Sequence, residues 1–194
     1  MSKAENIVTG FFGHKGHYKT SMGVLFTWLE NLLGNRKYLY SNIALKMPNF
    51  NYLEGNDLVS LDKKLDDSIV FIDELHDYAP AERYSSEQNF NVAHFFLQSR
   101  HTKSNIYYTT QYKDQIDRRI QRITDIDIIC QNLYYDADDD GNDDLALITV
   151  IDKRGTGNLP LQKTLYMTPV WDMYDSTERV NPFKFKGEEW QKQN

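Results

Sequence analysis

Short, almost unbroken apolar runs alternate with amphipathic stretches over the first two thirds of the chain, a pattern that predicts buried parallel strands joined by helices. Ile7–Phe12 reads as the first strand. Met22, Leu25, Phe26, Leu29, Leu32 and Leu33 then recur at helical spacing up to a Gly34-Asn35 stop. Tyr38–Ile43 is a second strand, residues 46–60 read mainly as loop, and Leu58–Leu65 as a short strand and turn. Ser68–Ile72 is apolar and β-branched and ends in Asp73-Glu74. After a polar stretch at 76–88, read as an irregular loop with a short helix, Phe90–Arg100 is a helix. Asn105–Thr110 is a strand tipped by Gln111, Asp114–Arg122 a helix and Asp125–Leu133 a strand. Leu145–Asp152 and Leu159–Met167 form a hairpin around Lys153–Asn158. Residues 169–194 carry Trp171 and Trp190 but little periodicity, and are expected to wrap their own domain or a neighbour.

The chemistry is concentrated where the first strand meets the first helix. Residues 13–21 read GHKGHYKTS, so that strand, Gly-containing loop, Lys-Thr and helix follow one another in the P-loop order. In such a loop Gly13, His14, Lys15, Gly16, His17, Tyr18, Lys19, Thr20 and Ser21 surround the phosphates of a nucleotide. Lys19 would reach the β- and γ-phosphates, and the Thr20 hydroxyl would ligate Mg²⁺. Tyr18 stands where the common pattern has glycine, so its backbone must either find a region open to L-residues or carry strain. Asp73 at the acidic strand tip would support the metal, and Glu74 would polarise the attacking water. Gln111, on a strand expected between the P-loop and acidic strands, is placed to sense the γ-phosphate.

Composition narrows the picture. A chain of 194 residues suits one α/β domain with a sizeable core. No apolar run approaches a membrane span, and MSKAENIV lacks a signal-peptide core, so a cytoplasmic protein is expected. A single cysteine, Cys130, excludes an internal disulfide and fits a reducing compartment. The net charge of −6 argues against a protein that coats nucleic acid. A local patch of Arg118, Arg119 and Arg122 is the densest basic surface for DNA contact. Asp136, Asp138 and Asp140 before Gly141 match the first half of a calcium loop, but Leu147 stands where its closing Glu belongs, so a solvated loop is the better reading.

Taken together, GFFGHKGHYKTS, GNRKYLYSNIAL, SIVFIDELHDYAP and the stretch from FFLQSRH to TDIDII resemble the FtsK–HerA branch of P-loop ATPases. Within that branch they are most similar to the zonula occludens toxin-like and viral genome-packaging ATPases. The resemblance covers about Ile7 to Asn132. It implies a RecA-like, mainly parallel sheet flanked by helices, to which this chain adds a C-terminal β-hairpin. The chain is read as a P-loop ATPase domain at 1–168, with its core at about 5–133 and a hairpin extension at 134–168, followed by a tail at 169–194. The resemblance further implies ATP and Mg²⁺, a homo-oligomeric ring (usually a hexamer) and an arginine finger, for which Arg100 is the first choice, ahead of Arg118 and Arg119. The expected function is a motor that moves double-stranded DNA into a capsid, with capsid or portal-vertex proteins as partners and, for a viral protein, the host cytoplasm as its place. The alternatives are a toxin-like ATPase that exports a filamentous virion, and a nucleotide-binding module without motor action.

Overall fold

The computed structural model describes residues 6–34, 36–60, 65–133, 145–155 and 159–175. In chain order the elements are β1 (Val8–Phe12), α1 (Lys19–Leu33), β2 (Tyr38–Ser41), β3 (Phe50–Tyr52), α2 (Gly55–Ser60), β4 (Ser68–Ile72), α3 (Glu87–Thr102), β5 (Asn105–Thr110), α4 (Arg118–Ile123), β6 (Ile126–Asn132), β7 (Leu145–Asp152), β8 (Leu161–Tyr166) and α5 (Thr168–Trp171). The eight strands form one sheet in the order β3-β2-β4-β5-β1-β6-β7-β8. The first six of these run parallel, and β7 and β8 add antiparallel to β6. This is the RecA-like P-loop NTPase architecture, with the expected hairpin extending the sheet. Strand β5 lies between β4 and β1, as the sequence predicts.

The central strands are buried on both faces because helices cover both. Alternate residues go to opposite sides. Val8, Phe12, Val70, Ile72, Ile106 and Tyr108 pack under α2, α3 and α4. Phe11, Leu39, Ile69, Phe71, Tyr107 and Ile128 pack under α1, together with Met167, Val170 and Tyr174 from the chain's C-terminal part. Gly23 sets how closely α1 approaches the sheet: a Cβ there would collide with the Phe71 ring.

Three local expectations change. The presumed loop at 46–60 contains β3 and α2, and Leu58 is helical. Strand β3 is a three-residue edge strand with an exposed pattern, and α2 is too short to show a helical period. The helix expected at Asp114–Arg122 starts only at Arg118, because Asp117 caps it by accepting from the Arg119 N–H at 2.8 Å, after a 3₁₀ turn at Lys113–Gln115. The acidic stretch with Asp136, Asp138, Asp140 and Gly141 lies outside the described residues, as does most of the expected tail. The part of that tail that is described, up to Asp175, packs on its own domain, with Leu45 bridging Tyr174 and Lys46 N–H donating to Met173. Among the described residues no helix is long and apolar enough to cross a membrane.

Candidate nucleotide-binding site

Parallel α/β sheets place their sites at the carboxyl ends of the strands, where the loops after β1, β4 and β5 converge here. The loop after β1 turns away at Gly13, whose φ of 154° and approach to the Cys130 carbonyl leave no room for a Cβ. Its N–H donates to the Gln111 carbonyl at 3.2 Å, tying the loop to the tip of β5. Tyr18 resolves the question its sequence position raises. It adopts φ 58°, ψ 20°, the small left-handed region open to L-residues, and serves as N-cap of α1. Its ring packs against the α1-side core.

Helix α1 presents Lys19, Thr20 and Ser21 in its first turn. Lys19 is buried, and its Nζ donates to the His14 carbonyl at 3.1 Å. Thr20 Oγ1 donates to Asp73 Oδ1 at 2.9 Å, so residues 53 positions apart meet at the floor of the cleft. The same Asp73 oxygen accepts from Thr109 Oγ1 at 2.7 Å, and Thr109 Oγ1 in turn accepts from the Glu74 N–H at 2.9 Å. Burial pushes the Asp73 carboxyl up to about 6, and the neighbouring Glu74 charge adds to this. The Thr109 and Thr20 hydroxyls and the Lys19 ammonium work in the opposite direction.

Glu74 departs from the strand at φ 52°, ψ 55°, which turns its side chain out of the β4 line. Its Oε2 lies 3.2 Å from His76 Nδ1, without the alignment of a hydrogen bond, and pairs ionically only with a protonated ring. Together with Lys15–Ser21, Trp171 and Tyr174, Glu74 lines an open cleft of about 500 Å³. The cleft therefore has a helix N-terminus and a lysine on its floor, a buried Asp beneath and a Glu at its rim. These are the groups that bind a polyphosphate and deliver water to it.

The family model of zonular occludens toxin (Zot) matches residues 57–179, more than half of the chain. The chain belongs to the Zot family. The match includes Asp73, Glu74 and Gln111 and runs through the C-terminal aromatic segment; the P-loop precedes it. Among solved structures, the N-terminal domain of the zonular occludens toxin from Neisseria meningitidis superposes with a TM-score of 0.63 at 18% identity, covering 89% of this chain and 100% of that one. The genome packaging NTPase B204 of Sulfolobus turreted icosahedral virus 2, in complex with AMP, gives a TM-score of 0.55 at 10% identity over 82% of this chain and 96% of that one. A DnaB-like replicative helicase gives 0.59 at 12% identity over 82% of this chain and 55% of that one. These likenesses show a common fold. No curated protein sequence matches.

The other sequence-predicted residues of this Zot-family chain are dispersed. Gln111 is at the tip of β5, with its main chain on Gly13. Arg100 is not on the edge of the sheet where the cleft lies. Its carbonyl accepts from Asn6 Nδ2 at 3.0 Å and its guanidinium is 3.9 Å from Asp125, both at the starting edge of β1 and β6. Helix α3 runs opposite to the strands, so its C-terminal end arrives at the far edge. Arg119 forms a two-pronged pair with the buried Asp117, at 2.9 and 2.6 Å, and also donates to the Tyr84 carbonyl. Arg118 and Arg122 are exposed.

Sequence reasoning left several site residues without a role. Asn42 Nδ2 donates to the Asp73 carbonyl. Tyr112 OH bonds His14 Nδ1 at 2.9 Å, and His76 flanks Glu74. Trp171 and Tyr174 line the same cleft. The one available signal for Asn42 was its place near the end of the second predicted strand. The aromatic wall had none, because its partners are about 150 positions away in the chain.

Proposed function

We propose that this chain hydrolyses ATP with Mg²⁺ and uses the reaction to move DNA during virion assembly. The observation that carries the reading is the meeting of Lys19, Thr20, Asp73 and Glu74, from the loops after two separate strands, in one cleft. Lys19 would exchange its His14 carbonyl for the β- and γ-phosphate oxygens, and the α1 N-terminus would hold the chain of phosphates. The donor set fits Mg²⁺: two hard oxygens, Thr20 Oγ1 and Asp73 Oδ1, 2.9 Å apart beside the phosphate cradle. Thr20 would ligate the ion and Asp73 its water shell, and the metal's contribution would be to neutralise charge on the β- and γ-oxygens. Glu74 would take a proton from the attacking water as its oxygen bonds to the γ-phosphorus and the bond to the ADP oxygen breaks. Gln111, tied through its main chain to Gly13, would relay the loss of the γ-phosphate to β5.

The likeness to a genome packaging NTPase is in keeping with a genome as the polymer moved. The Zot match favours a Zot-type role in assembling or exporting a filamentous virion over filling a preformed capsid. In either setting a ring of identical subunits would act in the cytoplasm, with Arg100 serving only a neighbour's site, since it lies at the far edge of its own sheet. We assign residues 1–168 to the ATPase domain as a unit. The deciding experiment measures ATP turnover with and without double-stranded DNA, beside the mass of the assembly. Stimulation by DNA in a ring-sized species is the expected result, and binding without turnover would leave only a nucleotide-binding module.

A further inference from the structure

The cleft has a direction. Glu74 stands by Lys19 and Thr20, where the γ- and β-phosphates go, and Ser21 follows one residue further along α1. On the nucleotide reading proposed above, a polyphosphate held by Lys19 and Thr20 would run on towards Ser21, and what lies beyond Ser21 would face the ribose and base. There the structure puts aromatic rings. Tyr174 is buried, and its hydroxyl is 2.8 Å from Ser21 Oγ. Trp171 borders the same cleft with 46% of its surface exposed.

The segment is held firmly. Met167 and Val170 are in the α1-side core, the Met173 carbonyl accepts from Lys46 N–H at 2.8 Å, and Tyr174 bridges Leu45. A large apolar ring left half in water at the mouth of a polar cleft, on a well-anchored segment, is a surface waiting for a flat partner.

We infer that Trp171 is the stacking platform for the nucleotide base, set in place by the anchored segment around Tyr174. The inference rests on the nucleotide reading of the cleft proposed above and extends it to the base. An indole face gains about 1–3 kcal/mol from a stacked base, or roughly 5- to 150-fold in affinity. That gain belongs only to ligands that carry a base.

The test compares two ligands, Mg²⁺-ADP and inorganic tripolyphosphate with Mg²⁺, by equilibrium titration against the full chain. Trp171→Ala is expected to weaken ADP by roughly 5- to 150-fold and to leave tripolyphosphate within about twofold. Trp171→Phe, which retains a ring, should keep most of the ADP affinity. Because Trp171 is half exposed, the alanine variant leaves the core intact, and a thermal melt run alongside checks this. Unchanged ADP affinity in Trp171→Ala, or an equal loss for both ligands, would overturn the inference. Wild-type protein that binds tripolyphosphate while Trp171→Ala keeps full ADP affinity would leave the phosphate site standing and remove only the base platform. Failure of wild-type protein to bind either ligand would sink the nucleotide reading itself.

Discussion

Asn42 holds the main chain of Asp73 from both sides, its Nδ2 donating to the carbonyl and its Oδ1 accepting from the N–H, each at 2.8 Å. The pair joins the ends of β2 and β4 and fixes where the carboxylate emerges from the sheet. Removing the amide leaves two buried main-chain groups unpaired, at about 1–3 kcal/mol for each. Asn42→Ala is expected to lower the unfolding free energy by about 2–6 kcal/mol, read from urea denaturation, and to reduce turnover in parallel. A neutral result would show that water replaces the amide.

Lys19→Ala should abolish tight ATP binding, since the cradle loses the cation aimed at the β- and γ-phosphates. The fold should survive, because among the described residues the ammonium makes one hydrogen bond, to the His14 carbonyl. Isothermal titration reads the first effect and a thermal melt the second. Unchanged affinity would mean that a loop with Tyr18 before its lysine does not grip phosphate.

Glu74→Gln keeps the side chain's shape and removes its basicity. Turnover is expected to fall roughly 10²- to 10⁴-fold with ATP still bound. Near-normal hydrolysis in a steady-state assay would move the base to another residue.

Asp73 gives a pH signature. Its carboxyl is raised from 3.8 to about 6 in the folded protein, chiefly by burial, so the native state holds the proton more tightly than the unfolded chain does. Its contribution to stability is thus present below pH 3.8 and is lost as pH rises through about 6. Asp73→Asn should therefore make the ligand-free protein more stable than wild type at pH 7.5, by up to about 3 kcal/mol, and the gap should close towards pH 4. Parallel urea curves at the two pH values check it; a gap independent of pH would contradict the assignment.

The three arginines near α4 should behave differently. Arg119→Ala breaks the pair with buried Asp117 and should destabilise the fold by about 1–3 kcal/mol. Arg118→Ala and Arg122→Ala, at exposed positions, should leave the melting temperature unchanged and weaken any stimulation by DNA. A loss of basal turnover in the latter two would place them in the nucleotide site instead.

The P-loop and the acidic strand could be read from the sequence because each is a contiguous signal whose residues act together along the chain. The position of β5 followed from the same logic. Strand β3 and helix α2 escaped because an edge strand of three residues and a helix of six are too short to carry a period. Arg100, the first choice for an arginine finger, sits at the edge of the sheet opposite the cleft because of the direction of α3 relative to the strands, which no local pattern around it announces. Trp171 and Tyr174 were hidden for a different reason. Their meaning depends on a return of the chain to Ser21 that no local pattern announces.

The resting bonds of Lys19 with the His14 carbonyl and of Thr20 with Asp73 bear on how fast the cleft fills. Each is one hydrogen bond to a charged group, worth about 1.5–3 kcal/mol net, so the loop is kept in shape by bonds that an arriving phosphate and its Mg²⁺ can replace. Entry of a ligand then amounts to a swap of partners with no loop to be folded first. The association rate should vary little with the stability of the domain as a whole, and differences in affinity among variants of the cleft should show up in how long the ligand stays.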